Sequence, residues 1–153
     1  VTRKIELEAI GVVRSPVSAQ TDEGWGQVES TIELLPQFAP GLSGLDQFSH
    51  ALVLVFLHEA AFEPSRHIRR RPRGLSDMPL VGIFAQRAKD RPNPIGVTAV
   101  RVVSVDGPQL RVRGLDAIDG TPVIDIKPYF PEFDRVPEAE VPSWAAQLMT
   151  RYF

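Results

Sequence analysis

Ile95-Gly96-Val97-Thr98-Ala99-Val100-Arg101-Val102-Val103-Ser104-Val105, the turn Asp106-Gly107-Pro108, and then Gln109-Leu110-Arg111-Val112-Arg113-Gly114-Leu115 decide the fold. The first piece is rich in β-branched residues. The turn carries the Gly-Pro punctuation that ends a strand. In the last piece Leu110 and Val112 oppose Arg111 and Arg113, a period of two with one wet face. Two strands joined by so short a turn must run antiparallel. Upstream, residues 51–57 are continuously apolar, and their length and β-branched content predict a strand buried on both faces. Residues 27–35 alternate, with Val28, Ser30, Ile32 and Leu34 against Glu29, Thr31 and Glu33. Residues 4–13 alternate as well and slip at Ile10-Gly11, where a bulge is expected. Residues 80–85 and 123–127 read as further strands. The sum is about seven strands with little helix between them, a mainly β chain forming a small antiparallel β-barrel or sandwich. Pro142 opens a C-terminal helix expected over 142–152, with Trp144, Leu148 and Tyr152 on one face. Residues 42–48 are a second short candidate.

The chain has 153 residues, a length expected to form one domain, here 1–153. Its 43% hydrophobic and 24% charged residues exclude a disordered chain. No apolar run is long enough to span a membrane, and the first residues lack the apolar stretch of a signal peptide. A cytoplasmic location is the expectation. There is no cysteine, which removes disulfides, thiolate nucleophiles and Cys-ligated zinc. His50, His58 and His67 lack close metal-ligand spacing, so no metal is expected. No G-x-G-x-x-G joins a strand to a helix, so a Rossmann-type nucleotide site is not expected.

Charge is unevenly distributed. Residues 1–50 carry three basic and seven acidic side chains, residues 51–113 eleven and five, and residues 114–153 three and seven. A basic middle between two acidic ends points to an anionic partner. Its densest part is Arg66, Arg69, Arg70, Arg71 and Arg73, read either as a solvated face or as a phosphate-binding cluster. Arg87-Ala88-Lys89-Asp90-Arg91-Pro92-Asn93-Pro94 is a stiffened loop that presents donors, suited to an anion or simply connecting two strands. Asp119-Gly120-Thr121-Pro122 is a tight turn able to hold a polar ligand. Asp125 and Lys127 share one strand face, as a site pair or a surface ion pair.

These segments, with Ile10-Gly11-Val12-Val13-Arg14-Ser15-Pro16 and Gly44-Leu45-Asp46-Gln47-Phe48-Ser49-His50, occur in the order of a known family. The chain resembles the TrmO family (YaeB-like, TsaA-like) over about residues 5–135. Arg91-Pro92-Asn93-Pro94-Ile95-Gly96 and the segment from Asp119 to Tyr129 are its most specific motifs. The resemblance implies a small non-Rossmann β-barrel and a homodimer. It implies an S-adenosylmethionine-dependent methyltransferase that acts on tRNA, at N6 of the N6-threonylcarbamoyladenosine beside the anticodon. Carried over by motif, cofactor contacts fall on Glu23, Gly24, Trp25, His58, Glu59, Arg87, Gly114, Leu115, Asp119, Gly120, Thr121 and Pro122. Asp119 and Asp125 are candidate catalytic bases, with His58, Glu59 and the substrate's own threonyl carboxylate as alternatives; Arg87 and Arg91 are candidates to pair that carboxylate, with Asn93 beside them. From their charge, Arg66, Arg69, Arg70, Arg71, Arg73, Lys89, Arg91 and Lys127 are candidate tRNA contacts. Where the family has Thr-Arg-Ser-Pro, this chain has Gln86-Arg87-Ala88-Lys89, without the serine hydroxyl. Two other readings stand beside this one: a barrel that binds RNA or a nucleotide without catalysis, and a methyltransferase of the same fold acting on another acceptor.

Overall fold

The computed structural model describes residues 2–153. Eight strands follow in chain order: β1 (Gly11–Arg14), β2 (Glu29–Leu34), β3 (His50–Phe56), β4 (Arg69–Arg70), β5 (Val81–Gly82), β6 (Ile95–Asp106), β7 (Gln109–Arg113) and β8 (Pro122–Pro128). Six of them close an antiparallel barrel in the order β1-β2-β7-β6-β3-β8, and β4 and β5 form a separate ribbon. Three short helices complete the fold: α1 (Pro64–His67), α2 (Pro131–Asp134) and α3 (Ser143–Leu148). No helix among the described residues is long and apolar enough to cross a membrane.

The barrel closes because β6 bends. Its first half pairs with β3, from Phe56↔Ile95 to His50↔Arg101. Its second half pairs with β7, and the register slips between Val102 and Ser104. Such a bulge adds local twist, which closure of so few strands requires. Alternate residues point inward, and Val13, Ile32, Ala51, Val53, Val100, Leu110, Val112 and Val123 are wholly shielded from water. Burial of each large aliphatic side chain contributes roughly 1.5–3 kcal/mol. At Gly11 the strands come too close for a side chain: a Cβ would meet the Glu33 carbonyl and lie 2.9 Å from Leu34 Cα.

Five expectations need correction. The strand expected over residues 4–13 is confined to β1, and residues 2–9 lie in no element. Pairing stops at the Leu35 N–H to Ile10 carbonyl bond, because Pro36 then opens a 3-10 turn and offers no N–H. Ile5 and Leu7 are left exposed. Residues 80–85 contribute only β5 before a 3-10 turn at Ile83–Ala85. β3 is buried on one face only, through Ala51, Val53 and Val55, while Phe56 on the other is 43% exposed. The C-terminal helix ends at Leu148, where Arg73 and Thr150 donate to the Leu148 and Gln147 carbonyls. The candidate at residues 42–48 forms two 3-10 turns, Pro36–Leu42 and Leu45–Gln47.

Candidate functional site

The antiparallel register sends one set of connections to a single end of the barrel. β1, β3 and β7 finish there, and β2, β6 and β8 begin there. Residues 23–28, 57–59, 87–94 and 114–122 therefore gather at that end, although up to about a hundred positions separate them in sequence. Bonds tie them together: the Leu57 N–H donates to the Pro94 carbonyl at 2.7 Å, and the Gly114 N–H to the Val28 carbonyl at 2.9 Å.

The turn before β8 is held by β1. The Gly120 N–H donates to the Val13 carbonyl at 2.8 Å, and the Asp119 N–H to the Val17 carbonyl at 2.7 Å. One Asp119 carboxylate oxygen accepts the Ser15 N–H at 3.0 Å, and the side chain is otherwise exposed. Gly120 has φ 84°, a conformation glycine adopts without cost. Thr121 is 1% exposed, and its hydroxyl donates to the Ile118 carbonyl at 2.7 Å. Its side chain is thus committed to the turn, not offered to a ligand. Leu115 and Trp25 are likewise turned inward, and the Trp25 ring N–H donates to the Thr21 carbonyl at 3.0 Å. Their backbone is engaged as well: the Thr121 N–H donates to the Ile118 carbonyl at 3.2 Å, and the Trp25 N–H to the Tyr152 carbonyl at 2.8 Å. Pro122 is half-buried where β8 starts, opposite Val12.

His58 and Glu59 are exposed in the turn after β3. In the proline-stiffened loop, one Arg91 nitrogen donates to the Gln86 and Ala88 carbonyls at 2.9 and 3.2 Å. Arg91 thereby sets the loop's shape. Arg87 is exposed and donates to the Val97 carbonyl at 2.8 Å. Asn93 is exposed. Asp125 lies farther down β8, where its carboxylate meets Lys127 Nζ at 2.7 Å. That hydrogen bond raises the Lys127 pKa and leaves this pair as a surface ion pair on the barrel wall.

The arginine cluster divides. Arg66 and Arg69 are exposed, Arg66 within 3.4 Å of Glu63. Arg70 faces Asp90 at 4.0 Å, Arg71 donates to the Met78 carbonyl, and Arg73 donates to the Leu148 carbonyl at 2.9 Å. The sequence reading missed Asp90, which ties the loop to the arginines. It accepts the Ala61 N–H at 2.9 Å, pairs with Lys89 Nζ at 3.1 Å and lies 3.8 Å from His67 Nε2. Burial opposes its charge, but the Ala61 N–H and the Lys89 ammonium outweigh that and hold its pKa below the ordinary carboxylate value. Gln86, also missed, is buried and donates to the Arg70 and Val81 carbonyls, both at 3.0 Å. No sequence periodicity marks either residue. Beside residues 21–23 a cavity of about 430 Å³ opens, bounded by Arg73 and by Gln147, Leu148, Thr150 and Arg151.

Residues 15–135 match the model of the tRNA-methyltransferase O N-terminal domain. A probable S-adenosyl-L-methionine-binding protein of Methanothermobacter thermautotrophicus is 42% identical over 135 residues, covering 86% of this chain and 94% of its own. The tRNA (adenine(37)-N6)-methyltransferase of Escherichia coli is 37% identical over 145 residues, covering 88% of this chain and 61% of its own. The crystal structure of TrmO from Pseudomonas aeruginosa superposes with a TM-score of 0.77 at 32% identity, covering 94% of this chain and 63% of that one. The chain thus spans about three fifths of the last two proteins.

Proposed function

The chain belongs to the tRNA-methyltransferase O family, and from that membership we propose that it methylates N6 of N6-threonylcarbamoyladenosine in tRNA with S-adenosylmethionine as donor. The observation that carries this reading is the meeting of four sequence-distant segments at one barrel end, the segments on which the family resemblance puts the cofactor.

The residues there suit that cofactor. Glu23 and Glu59 are exposed carboxylates able to face its ammonium group and ribose hydroxyls. Gly24 and Gly120, both at positive φ with open space where a Cβ would stand, let a ligand approach the backbone. When bound, the cofactor supplies an electrophilic methyl on a sulfonium. This chain has to orient the acceptor and move a proton. N6 of a carbamoylated adenine is amide-like and attacks well only as its proton leaves, so a base must lie within hydrogen-bond reach. Asp119 is that base: one of its oxygens accepts only the Ser15 N–H, whereas Asp125 is neutralised by Lys127. Arg87 or Asn93 receives the threonyl carboxylate, because both are exposed whereas Arg91 is half-buried with one nitrogen bonded to two loop carbonyls. A site built to pair that carboxylate rejects plain adenosine, since an unpaired charged partner is costly to leave behind.

The reading includes a second copy of the chain. Leu52, Leu54 and Phe56 on β3 stand across from Ala99, Val97 and Ile95 on the outer wall next to the site. Ile95 and Val97 are about two-fifths exposed and Phe56 is 43% exposed. An apolar wall of this kind is buried best by its own copy in a two-fold dimer. The central test is mass spectrometry of nucleosides from tRNA incubated with the protein and S-adenosylmethionine. The methylated nucleoside is expected only from threonylcarbamoylated tRNA. Equal labelling of tRNA lacking that group would overturn the specificity.

A further inference from the structure

The last residues of the chain lie against the loop that opens the site. The Gly24 N–H donates to the Arg151 carbonyl at 2.9 Å, and the Trp25 N–H to the Tyr152 carbonyl at 2.8 Å. Gly26 packs so closely on Phe153 that a Cβ would come within 2.7 Å of its carbonyl carbon. Arg73 reaches over from the other side. It is a non-glycine residue at φ 54°, and its guanidinium bonds the Leu148 carbonyl at 2.9 Å and lies 3.7 Å from Asp22. So unusual a backbone angle persists where its surroundings hold it.

The side chain of Tyr152 carries the connection further. Its hydroxyl donates to one oxygen of Asp116 at 2.7 Å, and the other oxygen of Asp116 accepts the hydroxyl of Thr98 on β6. Burial, then the neighbouring Asp116 charge, pushes the phenol's pKa up, so it keeps its proton and stays a donor. Asp116 is thus gripped between a barrel strand and the tail. It sits within residues 114–122, the longest of the gathered segments, and Gly24 and Trp25 sit in another.

We propose that residues 147–153 form a clasp that pre-orders two cofactor-binding loops, with Tyr152 as its positioning residue acting through Asp116. The clasp rests on the functional reading above. Both loops carry proposed cofactor contacts, and a loop already ordered when the ligand arrives does not have to be ordered by it. Tyr152 itself touches no reacting atom in this scheme.

The test uses the full chain and two variants that keep side-chain shape, Tyr152→Phe and Asp116→Asn. Calorimetry with S-adenosylmethionine should show Kd rising about tenfold in each, and little further in the double variant, because both break one hydrogen bond to a charged group. The cofactor KM should rise with it, while kcat at saturating cofactor stays within about twofold. Amide exchange at residues 24–25 and 114–118 should quicken by about tenfold. A lowered Tm with Kd and exchange unchanged would overturn the clasp and leave Tyr152 a packing residue. If the unaltered chain binds no S-adenosylmethionine, the functional reading falls, and the exchange measurement alone still decides the clasp.

Discussion

Thr121 shows how a motif residue can serve the fold rather than the ligand. Its position in Asp119-Gly120-Thr121-Pro122 makes it look like a contact, yet its hydroxyl is buried and bonded to Ile118. Thr121→Ala should leave that carbonyl without its side-chain partner and cost about 1–2 kcal/mol, read as a lower urea midpoint at unchanged slope. Asp90 makes a second residue-level case. Its folded pKa lies below the ordinary carboxylate value. The stability it contributes is therefore complete above an unfolded-state pKa of about 3.9 and is lost as pH falls through the lower folded value. Asp90→Asn should be less stable than the natural chain at pH 6, and the gap should narrow on acidification below about pH 4. Parallel urea titrations at several pH values measure this. A gap that does not depend on pH would mean that the Asp90 charge is not what holds the loop.

At the scale of elements, the arginine run from 66 to 73 is interrupted by structure. α1 and β4 place Arg66 and Arg69 in solvent, while Arg70, Arg71 and Arg73 anchor the excursion to Asp90, Met78 and Leu148. Charge density alone reads all five as equivalent, because sequence shows how many charges there are and not which carbonyls lie nearby. Replacing Arg66 and Arg69 together by Ala should flatten the plot of log tRNA affinity against log salt by about one to two units, with Tm unchanged. Replacing Arg70 and Arg71 should lower Tm as well. An unaltered salt slope in the Arg66 and Arg69 variant would remove these two from the tRNA surface. The 86–94 loop carries the same lesson, since Arg91 is half-buried and bound by Gln86 and Ala88, whereas Arg87 bonds the Val97 carbonyl and stays exposed.

Across the whole molecule, the barrel has two unlike outer walls. β2 and β7 expose a charged wall in which Glu29 lies 3.3 Å from Arg111 and 2.8 Å from Arg113. The first half of β6 and the outer face of β3 expose the apolar one, through Ile95, Val97 and Phe56. Sedimentation should show a dimer, and Leu54→Glu, which adds a charge opposite Asp125 on the neighbouring strand, should shift it to monomer and lower tRNA methylation. A natural chain that sediments as a monomer while fully active at the same concentration would remove the dimer.

The sequence by itself determined the antiparallel β character of the chain, the positions of β2, β3, β6, β7 and β8, the absence of a dinucleotide-type glycine turn and the family. Each of these rests on local features: a period of two, a turn dipeptide, an unbroken motif. The tertiary structure decided the rest. It showed which alternating segment finds a partner: β1 does, whereas residues 2–9, equally regular in pattern, meet no neighbouring strand. It also decided which polar side chains remain free. Asp119 and Arg87 keep exposed groups, while Thr121, Arg91 and Asp125 are satisfied within the chain. Asp90, Asp116 and Tyr152 became legible only when residues tens of positions apart came within hydrogen-bond distance. Strand pattern is local because backbone geometry repeats every two residues. Hydrogen-bond satisfaction is not local, because a donor's partner is whatever chain closure of the barrel brings beside it.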